Sequence, residues 1–149
     1  MTGTAAPVGA DPIAALSNEV EALAALGNAR AKRLARFIAG RLKAAVRRWG
    51  ETVLMEARTG SPPKTASVMI GIRTLRDVDL IGDVKISDYS LIIPADPLID
   101  AGFPQPLEEG VMVWRFPGTG KERGIRIYLE PQALGVEDKI LLYRAVGRG

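Results

Sequence analysis

Six short apolar segments follow one another from Glu51 to the end of the chain, and turn-forming clusters separate them. They are rich in valine, isoleucine, leucine and aromatic residues, which favour strands. The segments are TVLMEA (52–57), SVMIGIRTL (67–75), VKISDYSLII (84–93), VMVWRF (111–116), IRIYLE (125–130) and ILLYRAV (140–146). No amphipathic helix lies between them, which favours antiparallel pairing. The pattern predicts a small antiparallel barrel or sandwich of about five or six strands, and we favour the barrel.

Two helices are predicted ahead of the strands. Asp11 is a suitable N-cap, and Pro12 fits the first helical position because a missing N–H costs nothing there. Apolar residues then recur at spacings of three and four, at Ile13, Leu16, Val20 and Leu23. Gly27–Asn28 offers a C-terminal cap or a kink before a second helical stretch from about Ala29 to Trp49.

These patterns divide the chain into three parts. Residues 1–10 are small and uncharged and contain proline and glycine, which predicts a flexible N-terminal arm. Residues 11–49 form a helical extension, and residues 50–149 form the β-barrel domain. We therefore predict an α+β fold, a small antiparallel barrel preceded by helices, in a chain of 149 residues, which suits one domain.

The second helix carries the basic charge of the chain. Residues 29–48 include eight lysines and arginines and no acidic residue, a net charge of +8. Because the whole chain carries +3, the other 129 residues carry −5. At about 100° per residue, an apolar stripe about 80° wide faces a cationic stripe about 60° wide. The apolar stripe holds Leu34, Ile38, Leu42, Ala45 and Trp49, and the cationic stripe holds Lys32, Arg36, Lys43 and Arg47.

The cationic stripe is the candidate contact to DNA or to an acidic partner. Lysines and arginines near phosphates release counterions and give sequence-independent affinity. The same face could dock on an acidic neighbouring subunit or on an anionic membrane surface. It could equally be the solvated face of a helix that packs on the barrel, although solvated helices usually alternate charge signs. The sequence leaves these alternatives open.

The chain contains no histidine and no cysteine. This composition excludes disulfides, thiolate nucleophiles, zinc sites, haem ligation and imidazole acid–base catalysis. No apolar run approaches the ~18 residues of a membrane helix, and the N-terminus lacks the basic and apolar regions of a signal peptide. We predict a non-enzymatic protein, made in the cytoplasm, with no cofactor and no metal.

A long proline-rich loop is predicted over residues 94–110. Loops longer than about 12 to 15 residues are usually functional or disordered. Leu98, Ile99 and Phe103 are apolar residues that a solvated loop would not need. We predict that these three contact a neighbouring subunit or another partner, or fold back on the barrel mouth. The carboxylates of the loop have no defined spacing that indicates acid–base catalysis.

Two other motifs have ordinary structural explanations. Residues 117–124 (PGTGKERG) suggest a phosphate-binding loop, but that motif requires glycine at Arg115 and serine or threonine at Glu122. They therefore predict a hairpin turn. The aspartates within residues 77–83 lack the glycine and the terminal glutamate of a calcium-binding loop.

Several short segments occur in an order that carries a family resemblance. They comprise a basic helix end with a first strand, a Gly-Asp turn with its strand, a loop opening, a proline-containing loop, a further strand, and a tyrosine-containing strand that ends in Arg-Gly. The segments are Arg48–Leu54, Leu80–Lys85, Leu91–Ala95, Pro104–Pro106, Val111–Val113 and Leu142–Gly149. From Arg48 onward the chain resembles the head-closure (stopper or neck) proteins of tailed bacteriophages.

The resemblance implies a ring of copies in the virion neck that retains packaged DNA and docks the tail. The implied partners are further copies of the chain, a portal or adaptor protein, a tail terminator or tail tube protein, and packaged double-stranded DNA, with no membrane. Glu108–Gly110 stands where a Gly-Asp turn is usual, and the cationic helices are longer than is common. A tail-completion or tail-terminator protein is therefore an alternative. A small cellular nucleic-acid-binding β-barrel is another, although the aromatic content of 5% counts against it.

Overall fold

The computed structural model describes residues 12–74, 88–136 and 139–149. Helix α1 spans Pro12–Leu26 and helix α2 spans Ala29–Trp49. The later elements in the described residues are β1 (Glu51–Gly60), β2 (Pro63–Thr74), β3 (Tyr89–Pro94), α3 (Ala95–Asp100), β4 (Met112–Arg115), β5 (Arg123–Ile127), β6 (Gln132–Val136) and β7 (Lys139–Arg148). The predicted arm of residues 1–10 and the aspartates within residues 77–83 lie outside the described residues.

The strands close into an antiparallel barrel. Strands β3, β2, β1, β4, β5 and β7 are hydrogen-bonded in that order, and β3 pairs with β7 to complete the ring. This confirms the predicted α+β fold, a small antiparallel barrel after N-terminal helices. An additional strand, β6, pairs with β7 outside the ring. Strand β6 was not predicted, because its sequence, QALGV, contains a glycine and a single β-branched residue.

Inward-pointing side chains fill the barrel. Alternate residues on each strand face inward, as expected for a pleated strand. The buried residues of this cluster include Val53, Met55, Val68, Ile70, Leu91, Ile93, Val113, Ile125, Ile127 and Tyr143. The hydroxyl of Tyr143 donates a hydrogen bond to the side-chain oxygen of Gln105. The interior is therefore a packed core.

A second apolar cluster joins the helices to the outside of the barrel. Its strand residues are Ile92 on β3, Leu134 on β6 and Leu142 on β7. Its helix residues are Ile13, Val20, Ala39, Leu42, Ala45 and Val46. Gly71 of β2 makes room for α1, since a Cβ at this position would lie 3.0 Å from Cγ2 of Ile13. Helix α1 therefore rests directly on the backbone of the barrel.

Polar contacts fix the turn and the position of the helical hairpin. Asn28 is the N-cap of α2, and its side-chain oxygen accepts a hydrogen bond from the amide of Ala31 at 2.8 Å. Arg144 of β7 donates a hydrogen bond to Asn18 of α1 at 2.8 Å and forms an ion pair with Glu21. The first contact caps α2, and the contacts of Arg144 hold the middle of α1 against β7.

The buried face of α2 differs from the predicted apolar stripe. The buried residues are Ala31, Ala35, Ala39, Leu42, Ala45 and Val46. Leu42 and Ala45 are buried as predicted, but Leu34 is 43% exposed and Trp49 is 56% exposed. The prediction favoured large apolar side chains, whereas small side chains let neighbouring helices approach closely. The prediction was therefore wrong for Leu34 and Trp49.

Tyr143 gives the stability a dependence on alkaline pH. Burial raises the pKa of Tyr143 above its ordinary value near 10. The unfolded chain then loses this proton at a lower pH than the folded chain, so the contribution of Tyr143 to stability falls as the pH rises above about 10. We expect Tyr143→Phe to be less stable than the wild type at about pH 8, and the difference in unfolding free energy to shrink towards about pH 11. Urea unfolding of both proteins at each pH measures this difference, and a constant value would contradict the expectation.

Candidate functional site on helix α2 and the barrel mouth

The four predicted cationic residues are not equally available on the surface. The Nζ atom of Lys43 lies 3.5 Å from a carboxylate oxygen of Asp96, at the start of α3. Lys32 and Arg36 also have interactions within the chain, and Arg47 is exposed. Part of this stripe is therefore already engaged in contacts within the chain. Contact of these residues with DNA or with an acidic partner stays a prediction.

A different side of α2 is both cationic and apolar. Leu34 is 43% exposed and Phe37 is 64% exposed. Arg30, Arg41 and Arg48 are exposed too, and all five residues fall within an arc of about 60° around the helix. We call these five residues the outer face of α2. A solvated helix face gains nothing from an exposed leucine and phenylalanine, so this face is a candidate docking surface.

The sequence contains a signal for the outer face that the stripe prediction did not use. Phe37 lies about 100° around the helix from Ile38, the centre of the predicted apolar stripe, and about 60° beyond the edge of the stripe at Leu34. Phe37 therefore falls outside the predicted stripe, which is about 80° wide. An unassigned phenylalanine on a helix with +8 net charge is therefore the observation that indicates a second apolar surface.

An apolar groove lies at the open end of the helical hairpin. It is lined by Pro12, Ala15 and Leu16 of α1 and by Arg41, Ala44, Ala45, Arg48 and Trp49 of α2. The guanidinium of Arg48 lies 4.9 Å from the centre of the Trp49 ring, a cation–π contact. Arg41 and Arg48 belong to both the groove and the outer face, so the groove extends that surface.

The segment of residues 94–110 closes one end of the barrel. It contains the short helix α3, followed by an irregular stretch. Leu98 and Phe103 point inward and are buried in the barrel core. These two residues therefore fold back on the barrel mouth, which is one of the two predicted alternatives. Because both are buried, they offer almost no surface to a partner. Partner contact stays a prediction for Ile99, which is 47% exposed.

Exposed carboxylates accompany Ile99 at the barrel mouth. Asp100 follows it at the end of α3, and Glu108 and Glu109 lie at the end of the same segment. We call Ile99, Asp100, Glu108 and Glu109 the mouth surface. Within the described ranges, none of these three carboxylates forms an ion pair. Glu109 shares a pocket with Arg58 and Arg126, so the mouth surface combines exposed apolar area with carboxylates that form no ion pair but lie near basic side chains.

Asp96 differs from the other carboxylates of this segment. One of its oxygens lies 3.5 Å from Lys43 of α2, and the other lies 3.8 Å from Lys139 of β7. These side chains are partly exposed, so each ion pair contributes little to stability by itself. The pairs do show that α3 lies beside the Lys43 side of α2.

Two arginine–carboxylate pairs hold the opposite end of the barrel. Arg115 donates to Glu51 from Nε at 2.9 Å and from Nη2 at 2.7 Å. Arg148 donates to the buried carboxylate of Asp88 at 2.9 and 3.0 Å, and its guanidinium lies 3.7 Å from the centre of the Tyr128 ring. Hydrogen bonds to these carboxylates raise the pKa of both arginines. The two pairs stabilise the strand ends by charge-assisted hydrogen bonds.

The predicted hairpin turn is confirmed. Strands β4 and β5 pair on either side of residues 116–122, and the amide of Thr119 donates to the carbonyl of Phe116 at 3.3 Å. Among residues 12–74, 88–136 and 139–149, no group of three or more acidic side chains is arranged to hold a metal ion. In the same residues, no helix combines the length and the apolar character needed to cross a membrane.

Comparison with known proteins does not assign a family. No family model, no curated protein and no solved structure matches this chain. The outer face of α2 and the mouth surface are therefore the observations on which a function has to be based.

The mouth segment supports a prediction about stability. We expect Phe103→Ala to lower the unfolding free energy by about 3 to 5 kcal/mol, because it leaves a cavity in the barrel core. Ile99→Ala removes an exposed side chain from the same segment and is expected to change the unfolding free energy by less than about 0.5 kcal/mol. Urea unfolding of both variants measures the two effects. Equal effects would contradict the opposite orientations of these side chains.

Proposed function

We propose that this chain is a non-enzymatic structural protein of the tailed-phage neck. In this role it forms a ring between the portal complex and the tail, retains packaged DNA and provides a surface on which the tail docks. Its partners are further copies of the chain, a portal or adaptor protein, and a tail terminator or tail tube protein. The protein then functions in the virion neck, after synthesis in the host cytoplasm.

The location of the exposed apolar surface is the observation that carries this proposal. The barrel interior is filled by side chains, so the barrel serves as a scaffold and not as a ligand container. Exposed large apolar side chains lie instead mostly on the helical hairpin, with one at the mouth and two on other barrel loops; they are Leu26, Leu34, Phe37, Trp49, Ile99, Phe116 and Leu129. Apolar surface bordered by charge is typical of contacts with other macromolecules. A connector protein needs such surfaces on a rigid core.

The sequence resemblance supports the same function. Arg48–Leu54 spans the end of α2 and the start of β1, and Leu91–Ala95 joins β3 to α3. Leu142–Gly149 covers most of β7, which pairs with β3 to close the barrel. Three of the six segments that resemble head-closure proteins therefore lie where the barrel closes, where α3 follows β3, or where the helices join the barrel. The finer distinction between a stopper and a tail-completion or terminator protein rests on the resemblance alone.

Packaged DNA is a further partner in this proposal. The net charge of +8 on residues 29–48 favours contact with phosphates through counterion release. The same charge also favours the second candidate, a cellular nucleic-acid-binding barrel. That candidate would be expected to offer aromatic rings for base stacking. On the strands, however, Tyr143 is buried and Trp114 is half-buried, which favours the neck protein.

Particle assembly tests the proposed function. We expect a phage in which this gene is disrupted to make heads that lose their packaged DNA and remain without tails, since the ring closes the portal channel and receives the tail. Negative-stain electron microscopy counts filled heads and attached tails, and a plaque assay measures infectious titre. Supply of the wild-type chain from a plasmid is the control and should restore both. Tailed, DNA-filled particles without this chain would overturn the proposal.

The copy number in the neck provides a second criterion. A ring built from one kind of contact contains several copies related by rotation. Native mass spectrometry of necks released from particles measures this number. A single copy or a two-fold dimer would overturn the ring.

A further inference from the structure

The outer face of α2 carries arginines, and the mouth surface carries carboxylates. Within the part of the chain that the structure describes, none of their charged side chains forms an ion pair. Each surface also exposes apolar area, at Leu34 and Phe37 on the helix and at Ile99 on the mouth. The two surfaces are therefore complementary in charge, and both expose apolar side chains beside the charged ones.

The apolar side chains distinguish between the possible occupants of the outer face. Phosphate backbones are bound by cationic and hydrogen-bonding side chains and by backbone amides. Leucine and phenylalanine give no such contact, yet Phe37 is 64% exposed at the centre of the outer face. An occupant that matches both the arginines and the apolar side chains has carboxylates beside apolar surface. The mouth surface of this chain has that composition.

The two surfaces cannot meet within one molecule. Lys43 faces α3 through its ion pair with Asp96. The residues of the outer face lie about 120 to 180° around the helix from Lys43, so they point away from α3. One copy therefore presents the outer face on one side and the mouth surface on another. A contact between them requires a second copy.

We infer that the outer face of α2 in one copy binds the mouth surface of the next copy, head to tail. This inference deepens the proposed function, on which it rests for closure of the ring, because it names the contact between neighbouring subunits. Each added copy leaves one outer face and one mouth surface free, so the contact builds a ring when the rotation between copies closes. Its charged component weakens as ionic strength rises.

A charge exchange between the two surfaces tests the contact. The first variant combines Arg30→Glu, Arg41→Glu and Arg48→Glu, and the second combines Asp100→Lys, Glu108→Lys and Glu109→Lys. We expect the wild type to self-associate at low ionic strength and each variant alone to remain monomeric, because its contact joins like charges. An equimolar mixture should associate again, since every contact between the two variants joins opposite charges. Sedimentation velocity measures the size distribution of each sample.

A matched control carries the same change in net charge at another place. Lys121→Glu, Arg123→Glu, Leu129→Glu and Gln132→Glu alter exposed residues of the β4–β5 hairpin and of the connection into β6. This control should associate like the wild type. A wild type that stays monomeric at low ionic strength, association of the first variant alone, or no association in the mixture would each overturn the inference.

Disulfide crosslinking gives a second measurement that does not depend on reversed charges. The chain has no cysteine of its own, so only introduced pairs can form. Phe37→Cys with Ile99→Cys should give a ladder of dimers, trimers and larger species on oxidation. Phe37→Cys with Leu129→Cys, which uses an exposed residue elsewhere, should not. Dimers from Phe37→Cys alone would indicate a two-fold contact and overturn the head-to-tail arrangement.

Failure of this inference can be told apart from failure of the proposed function. Necks that contain a ring, together with variants that associate without regard to these charges, would overturn the surface assignment and leave the neck function standing. Loss of duplex DNA binding by the first variant, with unchanged self-association, would identify nucleic acid as the occupant and also overturn the inference. Normal particles without the chain would overturn the neck function itself.

Discussion

Pairing between β3 and β7 is the interaction on which the rest of this structure depends. It closes the barrel, and it places apolar residues of both strands on two opposite faces. Ile93 and Tyr143 point into the barrel core, whereas Ile92 and Leu142 point out into the cluster shared with the helices. Strands buried on both sides need apolar residues at successive positions. The continuous apolar runs of β3 and β7 satisfy that requirement, and the position of the helical hairpin follows from it.

The alanines of α2 explain why Leu34 and Phe37 are exposed. Ala31, Ala35 and Ala39 are buried, and small side chains permit close helix packing. Leu34 and Phe37 lie on the side that neither α1 nor the barrel covers. The intramolecular contact uses mainly small residues over the first half of the helix and leaves these two bulky residues on the exposed side. The fold and the candidate docking surface are two consequences of one distribution of side-chain sizes.

Local features of the sequence were sufficient to predict the two N-terminal helices and most of the strands. Pro12 and Asn28 mark the start of the two helices, and β-branched runs mark most strands, because capping and strand propensity act over a few residues. The division near Gly50 follows from the same kind of signal, a change from helical to strand periodicity. Here a Cβ would lie 2.5 Å from the carbonyl oxygens of Val46 and Ile70, so only glycine fits between helix and strand.

Features that depend on distant residues could not be predicted in the same way. The ion pair of Lys43 with Asp96 joins residues far apart in sequence, and no periodicity encodes it. Burial of Leu98 and Phe103 depends on the size of the barrel opening, which exists only after the strands have closed. For this reason the sequence identified the 94–110 segment as unusual but left open whether its apolar residues face the chain itself or a partner.

Gly71 has a consequence for how the molecule responds to its surroundings. Helix α1 is held there by contact of Ile13 with bare backbone, inside an apolar cluster. Such contacts do not depend on ionic strength, whereas the attraction exerted by exposed arginines is screened by salt. The apolar cluster therefore holds the hairpin on the barrel even where salt screens the ion pair of Arg144 with Glu21. The molecule combines a frame held mainly by apolar contacts with an exposed charged surface whose attraction depends on salt.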